Sequence, residues 1–273
     1  MINYMKLVHF EVKRFWKLYA GLALLIVLGQ LAIVFFGAKQ YKNMLKNTVV
    51  DTIDGRTGGE IPSLSITNII DSPIFLLTIM LGAAVLIIYM FFIWCRDWFG
   101  KNTFAYRLLM LPTNRMNLFF AKGTAIFLFV FGLVAMQVIL VIIEQGIINS
   151  IVPKDFIDDL GFINSLNQSM LGVLIPATIT GFLINYGLGL VVLITVFTVV
   201  LLERSYRVRG IIMAVIYCIA TGFIILLPLL IQDWSRNYFY SGELLLMEII
   251  FCALLVLCGL LISRYLLNRK ITV

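Results

Sequence analysis

The chain has 273 residues, of which 62% are apolar and only 13% charged, with a mean hydropathy of +1.03. That balance excludes a water-soluble globular domain and points to a polytopic membrane protein. The formal net charge of +7 gathers at one membrane face and calls for no nucleic-acid partner.

Residues 2–17, INYMKLVHFEVKRFWK, mix Met5, Val8, Val12, Phe15 and Trp16 with Lys6, Lys13, Arg14 and Lys17 at roughly helical spacing. The pattern predicts an amphipathic N-terminal helix lying in the interfacial layer, or more plainly the basic flank of a first span. The lone His9 reads as interfacial rather than as a ligand. The apolar run that follows is expected to be a permanent anchor rather than a cleaved signal. It lies behind a charged segment, and no small-residue cleavage site follows Phe36.

Stretches long enough to cross a hydrocarbon core of roughly 30 Å as a helix occur at 18–38, 74–95, 118–143, 180–202, 210–231 and 244–263. They are continuous rather than alternating, and backbone groups in lipid must bond internally, so helices are expected and not a barrel. The expected fold is all-α: one membrane domain over residues 1–273 with six transmembrane helices. No repeat or low-complexity tract divides it.

Between the first two spans, residues 39–72 are polar, with Asp51, Asp54-Gly55, Gly58-Gly59 and Pro62. They are expected to form the longest external loop. A second external segment, 144–179, carries Glu144, Asp155, Asp158 and Asp159. Its stretch FINSLNQSMLGVLIPAT suits a surface helix before Pro176, or else the start of an overlong fourth span. Pro228 should kink or end the fifth helix. The last connection, 232–243, has the aromatic character of an interfacial belt.

Orientation follows from Lys and Arg. With a cytoplasmic N-terminus, positions 6, 13, 14, 17, 96, 101, 107, 115, 122, 204, 207, 209, 264, 269 and 270 all lie inside, leaving six of the 21 outside. Both termini are then cytoplasmic in a multi-pass protein of the cell membrane. Of the 14 acidic residues only Glu11, Asp97 and Glu203 fall on the inner side.

Sites for chemistry are scarce. The chain contains no G-x-x-x-x-G-K-[ST] phosphate loop and no G-x-S-x-G elbow, and one histidine cannot make an H-E-x-x-H zinc helix. Cys95, Cys218, Cys252 and Cys258 lie within or at the ends of spans, without C-x-x-C spacing. No catalytic, cofactor-binding or metal-ligating residues are therefore expected. Ionisable groups within spans mark ion pathways, yet Glu144 and Glu248 sit near outer ends, which weakens a proton-driven mechanism. Gln30, Gln137 and Asn185 are the candidate pathway residues, although inter-helix hydrogen bonding is the commoner use of such groups.

The inner connection Arg96–Lys122 reads RDWFGKNTFAYRLLMLPTNRMNLFFAK. Asn102 or Thr103 can cap a short helix that Pro112 stops, and Phe104, Ala105, Leu108, Leu109 and Leu111 cover more than one of its faces. Such a helix rests on lipid headgroups or inserts into an apolar groove on another protein, with Lys101 and Arg107 suited to acidic groups on either. Thr113 can cap a new helix carrying Arg115 and Lys122 into the third span.

In these features the chain resembles the membrane subunits of ABC-2 type exporters, particularly small six-span permeases of Gram-positive bacteria. The resembling pieces are the basic N-terminal helix LVHFEVKRFWK, the six spans, and GKNTFAYRLLMLPTNR followed by Lys122. Leu111, Pro112, Arg115 and Lys122 match the family's loop, while Asn114 stands where Ser is usual. The resemblance implies a non-enzymatic permease that pairs with a separate ABC ATPase subunit, which binds ATP and magnesium, and with a second permease copy. It makes the cytoplasmic helix between spans 2 and 3 the coupling helix, with Lys101, Phe104, Arg107, Leu108, Leu111, Pro112 and Arg115 at the ATPase contact. Few fixed charges in the spans fit an amphipathic or hydrophobic cargo such as a peptide, antibiotic or lipid-like molecule. Export of an antimicrobial peptide, or immunity to one, is implied by the family alone.

Two rival classes remain open at this level. A non-transporting sensor or assembly protein would use loop 39–72 to bind a ligand. A membrane-embedded enzyme would need convergent polar groups, for which Asp155, Asp158 and Asp159 form the one cluster, explained more simply by a solvated acidic loop.

Overall fold

The computed structural model describes residues 2–53, 66–98, 115–153, 156, 164, 169–234 and 239–270. The regular elements among them are all helical. They are α1 (Ile2–Ile53), α2 (Ile66–Ile70), α3 (Pro73–Trp98), α4 (Arg115–Ile151), α5 (Leu171–Leu174), α6 (Ile179–Tyr206), α7 (Val208–Trp234) and α8 (Ser241–Tyr265). A π-helical turn, Leu266–Lys270, closes α8. Six of these helices, α1, α3, α4, α6, α7 and α8, are long and apolar enough to cross a membrane, and each contains one expected span. Their outward residues include Leu24, Leu25, Leu28, Phe92, Ile216 and Leu257, all exposed. Such a surface suits lipid and would aggregate in water.

Helix ends depart from the hydropathy pattern. The 52 residues of α1 make a rod of about 78 Å at a rise of about 1.5 Å per residue. Residues 2–17 are helical as expected, but they are the first turns of α1 rather than a separate interfacial element. The same helix takes up the first part of the expected loop 39–72. Between Lys17 and Ile53 there is no proline, and Gly21, Gly29 and Gly37 are isolated. Each glycine costs about 1 kcal/mol relative to Ala, too little to break a long helix. The turn-rich middle of that loop lies outside the described residues.

Helix α4 likewise runs past 143 to Ile151, which places Glu144 in a helix instead of a loop. Of the expected surface helix before Pro176, the described residues show the turn α5, most of 162–168 lying outside them, and α6 starts at Ile179. Pro228 does not end α7, which continues to Trp234. Membrane helices tolerate proline when neighbouring groups take up the freed carbonyl.

The chain forms two compact units: Met1–Lys13, Leu86–Phe127 and Ile179–Val273 make the first, Arg14–Val85 and Leu128–Thr178 the second. In the first, α6 and α8 meet through small polar residues, with the Thr198 and Ser263 hydroxyls 3.0 Å apart. Gly259 lies against Ile194 there, and small residues of this kind let membrane helices approach closely. Arg207, in the left-handed conformation at φ 51°, separates α6 from α7. It brings Gly210 against the Leu202 carbonyl, where a Cβ would overlap backbone. In the second unit, Val34, Ala38 and Leu45 of α1 form a core with Ile69 and Ile70 of α2, Phe75 of α3, Val141 and Ile148 of α4, and Leu171 of α5.

The Gly210 contact is testable. Because the obstructing atoms are backbone and cannot swing aside, Gly210→Ala is expected to destabilise the protein by about 1–3 kcal/mol. Gly222→Ala on the same helix meets nothing within 4 Å and is expected to be neutral or stabilising by up to about 1 kcal/mol. Thermal unfolding of both variants in detergent micelles separates the two outcomes.

Candidate functional site

Lys122 stands eight residues into α4 and is completely buried in the first unit. An ammonium group has three donors and no acceptor. Here all three are used: one to Glu11 Oε1 of α1 at 2.9 Å, one to Asp97 Oδ2 of α3, and one to the Ile93 carbonyl of α3 at 3.1 Å. The side chains of Glu11 and Asp97 are 1% and 2% exposed, so the ions have no access to water. Arg96 Nη2 reaches the other Glu11 oxygen at 3.5 Å and brings the cluster to two positive and two negative charges.

Apolar packing surrounds these ions. The Trp94 ring lies 5.2 Å from Lys122 Nζ, close enough for a cation–π attraction. Phe197 meets Trp94 and Phe119 edge-on at 5.6 Å and 5.2 Å between centroids. A low-dielectric wall strengthens each ion pair and raises the penalty for leaving any member alone. Tyr4 adds a second contact between α1 and α4, its hydroxyl 3.2 Å from Thr124 Oγ1.

Chemically, the Lys122 ammonium at the centre of this cluster is saturated, while Arg96 Nε and Trp94 Nε1 beside it are buried without a hydrogen-bond partner. Lys122 has no donor left for a substrate, so the arrangement suits a joint that fastens α1, α3 and α4 together. Its placement is what matters: Asp97 precedes and Lys122 follows the connection 99–114.

Of the residues expected to contact an ATPase, Lys101, Phe104, Arg107, Leu108, Leu111 and Pro112 lie outside the described residues. Arg115, the first residue of α4, donates from Nη1 to the Leu267 carbonyl at 2.7 Å. Leu267 belongs to the π-helical turn closing α8, where a cation also suits the helix dipole. Arg115 thus binds the C-terminal end of α8 as well as beginning α4.

Among the expected pathway residues, Gln30 Nε2 of α1 donates to Gln137 Oε1 of α4 at 3.1 Å, both buried in the second unit. The bond links two helices and leaves Gln30 Oε1 and Gln137 Nε2 without partners. Asn185 is half-buried on α6 and belongs to the first unit.

Reasoning from sequence missed the partnership of Glu11, Asp97 and Lys122. The available signal was the sign of the charge: Glu11 and Asp97 are two of the three acidic residues on the strongly basic side. It also placed Glu144 in a loop near an outer end, whereas the side chain is fully buried within α4.

Removing the Lys122 charge should strand two buried carboxylates. Lys122→Met is expected to destabilise the protein by about 3–5 kcal/mol, and combining it with Glu11→Gln and Asp97→Asn should recover much of that loss. Gln137→Leu removes one neutral bond and should cost about 1 kcal/mol. Melting temperatures of the detergent-solubilised variants test this order.

The chain matches no protein-family model, no curated protein and no solved structure.

Proposed function

We propose that this chain is the permease subunit of an ATP-driven ABC-2 type exporter, carrying an amphipathic or hydrophobic solute out of the cell. The observation that carries this reading is the Lys122 cluster. It joins the helix that leads into connection 99–114 to the helix that leads out, and fastens both to the start of α1. A push delivered to that connection from outside the membrane would move the three helix ends as one body rather than being absorbed by one flank. The likeness of GKNTFAYRLLMLPTNR to the family's coupling segment supports the same assignment, and the apolar exterior of the six helices supports residence in a membrane.

In this mechanism ATP and magnesium bind the partner subunit, and the permease performs no covalent chemistry. ATPase closure presses on residues 101–115. The fastened helices rock, and a path opens and closes at the interface between two permease copies. The basic helix ends, with both termini, face the cytoplasm of the cell in which the protein sits in the plasma membrane.

Co-expression with a candidate ABC ATPase subunit from the same genome, followed by purification through a tag on this chain, tests the proposal. The wild-type chain should retain the ATPase, and combined Arg107→Glu and Leu108→Glu should abolish both retention and stimulated ATP turnover. An intact complex with normal turnover in that double variant would overturn the coupling assignment.

A further inference from the structure

The second unit holds a titratable group that the proposed coupling does not use. Glu144 is 0% exposed, and neither carboxylate oxygen has a hydrogen-bond partner. On α4 it lies between Val141 and Ile148, three residues before and four after, which puts all three on one helix face. Both neighbours are buried members of the apolar core.

Among the described residues, the elements packed on that core bring no countercharge to it. Helix α1 contributes Val34, Ala38 and Leu45, and its titratable member against the core is the phenol Tyr41. Lys39, Lys42 and Lys46 of α1 are exposed. Helices α2 and α5 and residues 73–85 of α3 contain no titratable side chain. Asp71, also exposed, accepts a bond from the Met170 amide at 2.9 Å.

An ionised carboxylate enclosed in this way is strongly disfavoured, because burial removes its hydration and no described residue replaces it. The contrast with the first unit is direct: Glu11 and Asp97 are equally buried, and each touches the Lys122 ammonium. Protonation removes the charge of Glu144 without admitting any larger ligand, and an ionisable group held inside membrane helices marks a functional position.

We propose that Glu144 is a proton-binding site of the second unit, holding a proton while the core is closed and releasing it when the α1–α4 packing opens to water. On release the carboxyl O–H bond breaks, the proton passes to a water molecule, and the negative charge stays on the hydrated carboxylate. Reclosing requires the reverse transfer. Opening and closing of this core are thereby linked to proton loss and uptake, whether or not an ATPase partner drives them.

Infrared spectroscopy of the full-length protein in lipid nanodiscs decides the resting state. At neutral pH the wild type should show the C=O stretch of a protonated carboxylic acid, shifted by deuterium oxide and missing from Glu144→Gln. A wild-type spectrum without that band, or one matching the Gln variant, overturns the proposal. Should Glu144→Gln fail to fold, Glu144→Asp serves in its place by shifting the band. Release is read with dicyclohexylcarbodiimide, whose C=N bond adds the acid O–H and traps the residue as an N-acylurea visible by peptide mass spectrometry. Glu144 should be modified at neutral pH and progressively less as pH rises. A Glu144 that carries the band yet resists the reagent throughout long exposure would overturn the opening step.

Discussion

A fully buried ammonium group has to find three acceptors, and that requirement organises the first unit. Helix α1 supplies a carboxylate, and the end of α3 supplies another together with a backbone carbonyl; Lys122 rises from α4 to meet them. Apolar helices in lipid have little preference among the ways they can slide past one another, since lipid tails satisfy their surfaces as well as a neighbour does. A charged contact that works in one register removes that freedom. Moving Glu11 or Asp97 by a single residue would turn it to another helix face and leave Lys122 unsatisfied. Trp94, Phe119 and Phe197 then exclude water from the contact, which makes its loss expensive and its geometry persistent.

The second unit follows a different rule. Its core is aliphatic and aromatic, and the polar groups inside it are under-satisfied: two glutamines share one bond, and Glu144 has none. A cluster built round a saturated ammonium transmits displacement, because neither Glu11 nor Asp97 can leave without stranding Lys122. An unsaturated one can change state, because a proton or water can enter when packing loosens. In the proposed permease these would be complementary properties, one suited to passing on a mechanical push and the other to registering that the core has opened.

Hydropathy located all six membrane helices but not their ends. A run of Leu, Ile, Val and Phe marks where lipid is favoured, whereas a helix stops where capping, proline or tertiary contacts stop it. Residues 39–53 are polar enough to read as loop, yet they contain no proline and remain helical in α1. Pro228 was expected to kink or end its helix, and the helix does not end there. Glu144 was assigned to a loop for the same reason: its charge ended the apolar run, although the face it shares with Val141 and Ile148 is buried. The residues proposed for coupling in connection 99–114 rest on the motif resemblance and lie outside the described residues.

Composition and periodicity determined by themselves that this is a membrane protein of six helices with basic residues gathered toward one side. These properties depend on the transfer of apolar side chains and on backbone bonds made within each segment, both of which are local along the chain. Which charges neutralise one another was decided only by the tertiary structure. Lys122 lies 111 residues from Glu11 and 25 from Asp97, and Coulomb attraction depends on distance in space and on the water excluded around it. The same reason separates Glu144 from Glu11: as sequence they are two carboxylates beside membrane spans, and only packing leaves one paired and the other alone.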